Sequence, residues 1–114
     1  MTDKPLGQVT LQWPGGEHEF RLTWAALRSV ETATDMGPLA LLGALQGGTW
    51  RLDHAATVLR HGLIGAGMEP LAAKSLLLKT ADTCTPVAMV KPATLALAAA
   101  LFGLSDDAKD GDNG

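Results

Sequence analysis

Residues able to do chemistry are few in this chain and do not converge. His54 and His61 lie seven positions apart, about 10.5 Å along a helix at 1.5 Å per residue, which is too far for both to grip one metal ion. Solvated or helix-capping roles suit them better, and His18 falls on the inner face of an expected β-hairpin. Cys84, the only cysteine, stands in a polar stretch with no base beside it in sequence, so it reads as an incidental thiol rather than a nucleophile. Gly62, Gly65 and Gly67 imitate a dinucleotide fingerprint. That fingerprint needs a strand before it and a helix starting at the glycines, whereas these glycines finish a helix. There is no nucleophile-elbow serine, paired-carboxylate motif or zinc-ligand spacing. The reading is of a non-enzyme, with no catalytic residue, no cofactor site and no metal site.

The elements that carry these residues follow from composition and period. In 114 residues, 46% are hydrophobic but only 4% aromatic, so the core must be built of leucine, valine and alanine, which favour helix. Residues 105–114, SDDAKDGDNG, hold four aspartates against one lysine, a net of −3 that equals the whole formal charge of the chain. The remainder, eight basic and eight acidic residues, is neutral, which argues against a surface that tracks phosphates and so against a nucleic-acid partner. A lone cysteine and an N-terminus without an apolar signal segment point to a cytoplasmic setting.

Val9, Leu11 and Trp13 alternate with polar residues, as do His18, Phe20 and Leu22 beyond the Pro14-Gly15-Gly16 turn signal, which predicts an antiparallel hairpin with one buried face. Thr23 is placed to cap a first helix over Trp24–Thr34, with Leu22 and Leu27 as its hydrophobic staple. Met36-Gly37-Pro38 separates it from a leucine-rich second helix, Leu39–Leu45. A third helix, with Asp53 as its expected N-cap, sets Ala55, Val58, Leu59, Gly62, Leu63 and Ala66 on one face. Gly62 there is expected to admit another backbone, that of the final helix. Pro70 opens a fourth helix reaching about Thr80, and Val87–Lys91 leads into the last, ATLALAAALFGL from Ala93 to Leu104, ended by Gly103. This last helix is apolar on all sides and too short for a membrane span, which takes about 20 apolar residues, so it is expected to be buried all round at the centre of the fold. The expected class is therefore α+β: an N-terminal hairpin packed on about five short helices, forming one domain over residues 1–104 with a disordered acidic tail over 105–114.

Surface for a partner could come from the leucines of the second helix and from tryptophan, a residue enriched at interface hot spots. Trp24 is assigned to the core, while Trp13 and Trp50 suit core and interface equally. The partner-binding candidates are Leu39, Leu42, Trp50 and Trp13.

Three stretches taken together resemble one family: FRLT at Phe20–Thr23, GGTWRLDHAATVLRHGLIGAGM at Gly47–Met68, and PATLALAAALFG at Pro92–Gly103. They are similar to the phage-type tail assembly chaperones of gene transfer agents, the prophage-derived particles of alphaproteobacteria, over about Leu6 to Leu104. The ADTCTP linker at 81–86 and the acidic tail depart from the family pattern. The resemblance implies a non-enzymatic role in building a siphophage-like tail, with the tape measure protein as partner and the tail tube protein and self-association as further candidates. The same family is also labelled a tail tube component, so the alternative is a structural protein retained in the particle.

Overall fold

A computed structural model describes residues 4–104, and the disorder expected for 105–114 lies outside them. Strands β1 (Val9–Trp13) and β2 (Gly16–Phe20) pair antiparallel across a two-residue Pro14-Gly15 turn, in the register Val9 to Phe20 and Leu11 to His18. Alternation then sends Trp13 and Phe20 to the same side, where both are buried and their rings meet edge to face at 5.7 Å. The Trp13 indole N–H is not abandoned in the core, because it donates to Nδ1 of His18 at 2.8 Å.

Five α-helices follow: α1 (Trp24–Thr34), α2 (Pro38–Gly47), α3 (Leu52–Gly65), α4 (Pro70–Ala81) and α5 (Val90–Phe102), with a 3₁₀ turn at Pro86–Met89 before the last. The architecture is the expected α+β arrangement of hairpin and five helices. Thr23 caps α1 as its sequence required, its Oγ1 accepting the Ala26 N–H at 3.0 Å. Thr23→Ala is expected to lower stability by about 1 kcal/mol, read as a shift in urea midpoint without a change of slope. Asp53 does not cap α3. The N-cap is Arg51, so the helix starts two residues earlier than that expectation, at Leu52, and the Arg51 backbone N–H donates to Nδ1 of His54 at 3.1 Å. The buried His54, at the third position of the helix, reaches back to the backbone N–H of the residue before the helix, the reciprocal half of a capping box.

One continuous core runs from Trp13 and Phe20 through Val30, Leu41, Val58, Leu59 and Leu63 to Leu97. Helix α3 is its axis, touching α1, α4, α5 and β2, and the face from Ala55 to Leu63 is buried as its period requires. The neighbour of Gly62 is the end of β2, not the final helix. A Cβ at Gly62 would meet the Phe20 side chain at 3.1 Å, and the Arg21 N–H donates to the Gly62 carbonyl at 2.9 Å. Gly65 is closer still, since a Cβ there would lie 1.8 Å from the Arg21 carbonyl oxygen. The two glycines, three residues apart on one helix face, form the seat on which the chain leaves the hairpin. At the other end of the hairpin Gly7, at φ +83°, lies on the backbone of Ala99 and Ala100 in α5.

Helix α5 is covered on one side only. Ala93, Ala96 and Leu97 form its buried stripe, in which alanine lets neighbouring helices come close, while Leu95 and Phe102, seven apart, are 45% and 63% exposed. The expectation of burial all round fails because about a hundred residues in short helices supply too little chain to surround a central rod. No helix among the described residues is long and apolar enough to cross a membrane.

Candidate functional site: an apolar groove beside Trp24

Helix α1 has two working faces. Ala26 and Val30 enter the core, while Trp24, Leu27, Arg28 and Glu31, at i, i+3, i+4 and i+7, share a second face one above the other. That second face forms one wall of a groove of about 340 Å³, whose other wall is Ala100 and Leu101 near the end of α5, with Pro38 at the start of α2 completing it. Trp24 is the first residue of α1 and is 87% exposed. Next to the lining residues in sequence stand Leu39, 65% exposed, and the open Phe102. Isolated exposed leucines are ordinary, but a tryptophan at the lip of an apolar cleft with further apolar side chains beside it is the composition of an interaction surface.

The four sequence candidates are not brought together there. Leu42 and Trp13 are buried in the core, so neither offers surface to a partner, and Trp50 is half-buried against that core. Leu39 alone among them is open and adjoins the groove. Trp24, assigned to the core for its size, is the residue sequence reasoning missed. The signal was present in the i, i+3, i+4, i+7 set from Trp24 to Glu31, which is apolar at one end and charged at the other. Set against the Ala26 and Val30 stripe, it marks a helix with two faces in use.

The titratable residues are spread across the fold. His18 accepts from Trp13, His54 from the Arg51 backbone, and His61 lies between α1 and α3 beside Ser29 and Ile64. Among the described residues no three of His, Cys, Asp and Glu come together where a metal could sit. Cys84 is half-buried in a small cleft with Leu52, Ala56 and Met89. Burial, and after it the adjacent Arg60 charge, hold the His61 imidazole below its ordinary value. The neutral ring is therefore the one the fold accommodates, and an unfolded chain takes up the proton first. Stability from this group is complete above about pH 6.5 and is lost as pH falls from there through the folded-state value. The urea midpoint is expected to be higher at about pH 7.5 than at about pH 5.5, and His61→Gln should reduce that difference.

A family model described as phage tail tube protein, GTA-gp10, matches residues 6–103. No curated protein and no solved structure matches the chain.

Proposed function

That this chain belongs to the phage tail tube protein, GTA-gp10, family is the premise from which we propose its function. The family is one of phage or gene transfer agent tail structure and assembly, not of an enzyme class. Within that role, we propose that the chain is a tail assembly chaperone that holds helices of the tape measure protein before tube subunits enclose them. The observation that supports this reading is the largely apolar groove with the exposed Trp24 at its lip, the kind of surface to which an amphipathic helix can present its apolar stripe. A long helical partner would be covered by several copies, each bound weakly enough to be displaced and retained by their number.

Co-expression tests it. Tape measure protein should be recovered soluble with this chain and largely insoluble without it; equal solubility in both cases would refute the chaperone role. The second reading, a tube or tube-associated subunit retained in the particle, draws on the wording of the family description. Mass spectrometry of purified particles separates the two, since a chaperone should be absent or far below stoichiometric and a tube subunit abundant.

A further inference from the structure

Apolar surface also stands open on α4. That helix rests on α3 and buries Ala73, Leu77 and Thr80 against the fold, while Leu71, Ser75 and Leu78 run down its outer face. Lys74 and Lys79 flank the ridge and Asp82 ends it, all of them exposed. The groove is walled by α1, α5 and the start of α2, so ridge and groove are separate surfaces of one molecule. They match in length and in charge. Leu71 to Leu78 is seven residues, about 10.5 Å along the helix, the same interval as Trp24 to Glu31 on the groove wall. Among the described residues none of Arg28, Glu31, Lys74 and Asp82 forms an ion pair within the chain. With Leu78 set opposite Leu27, an α4 entering antiparallel to α1 brings Lys74 opposite Glu31 and leaves Asp82 on the side of Arg28. Entering parallel, with the same leucines in contact, it sets Asp82 opposite Glu31, carboxylate against carboxylate. The charges thus favour one direction of approach.

We propose that the groove of one copy takes the α4 ridge of a second copy, antiparallel to α1, with Lys74 of the ridge paired to Glu31 of the groove. The inference rests on the groove being a helix-docking site and adds what occupies it when no tape measure helix does. Because the two surfaces differ, the contact is heterologous: each docked pair still offers one groove and one ridge, and copies add head to tail. Tape measure helices and α4 then compete for one cleft, so idle copies cover one another's apolar surface and are parted by the partner.

Sedimentation equilibrium of the full chain from about 10 μM to about 1 mM tests this, and the weight-average mass should rise with concentration beyond that of a dimer. Lys74→Glu and Glu31→Lys lie at exposed positions and should leave circular dichroism unchanged, yet each should raise the apparent Kd at least about tenfold. They shift the net charge in opposite directions, so a common loss cannot come from overall repulsion. The chain carrying both should recover assembly to within about threefold of the parent, because the swapped charges attract again. A parent that stays monomeric throughout, a single variant that assembles as the parent does, or a double variant that fails to recover overturns the self-docking. A monomeric chain that still keeps tape measure protein soluble leaves the chaperone reading standing. Assembly that persists while that solubility fails removes the chaperone reading and keeps this contact.

Discussion

Replacing Gly65 by alanine is expected to lower the melting temperature by about 12–24 °C, equivalent to roughly 3 kcal/mol for a domain of this size. Helix propensity alone gives the opposite sign, because alanine is favoured over glycine by about 1 kcal/mol inside a helix. Sterics win here. The new methyl would lie 1.8 Å from the Arg21 carbonyl oxygen, a backbone atom whose residue is already bonded through its N–H to Gly62, so the strand exit must move as a unit. Gly43 in α2 is the control. It is exposed, with nothing near its missing Cβ, and alanine there should raise stability by up to about 1 kcal/mol. Calorimetry of both variants decides the matter, and a Gly65→Ala protein as stable as its parent would mean that the hairpin does not sit on α3 as described.

The second large effect separates core from surface. Leu42→Ala should cost about 2–5 kcal/mol, since Leu42 is 4% exposed within the main core. Trp24→Ser, at an 87% exposed position, should leave stability within about 0.5 kcal/mol of the parent. Function should follow the reverse order: Trp24→Ser folds but fails to keep tape measure protein soluble, whereas any loss with Leu42→Ala should scale with the fraction unfolded. Circular dichroism melts beside the co-expression assay check both. A Trp24→Ser chain that still solubilises the partner fully would move the contact surface elsewhere.

Local signals were legible at most places where one residue type satisfies one geometric need, Asp53 being the exception. Thr23 before Trp24, Pro38 and Pro70 at helix starts and Gly103 at a helix end set their boundaries close to those observed, because each answers an unsatisfied backbone group or a fixed dihedral. The period of α3 named its buried face for the same reason. Packing partners were not legible. Gly62 announced a close neighbour without saying which, and β2 occupies the place assigned to α5. Size misled at Trp24, where a large aromatic ring was expected to fill the core that leucines and Phe20 already fill. The groove was hidden because its walls come from α1 and α5, distant in sequence, and one-dimensional periodicity cannot report that two half-apolar faces meet.

The contact of Gly7 with the backbone of Ala99 and Ala100 bears on how the molecule is made. The first strand pair rests partly on α5, which lies about ninety residues later in the chain, and at 5–20 residues per second the interval between their synthesis is about 5–18 s. Throughout that interval a nascent chain holds β1 without the helix that lies against it in the finished fold. Until α5 has been made, the hairpin lacks part of the surface on which it comes to rest, so the earliest apolar segment of the fold is also among the last to be covered.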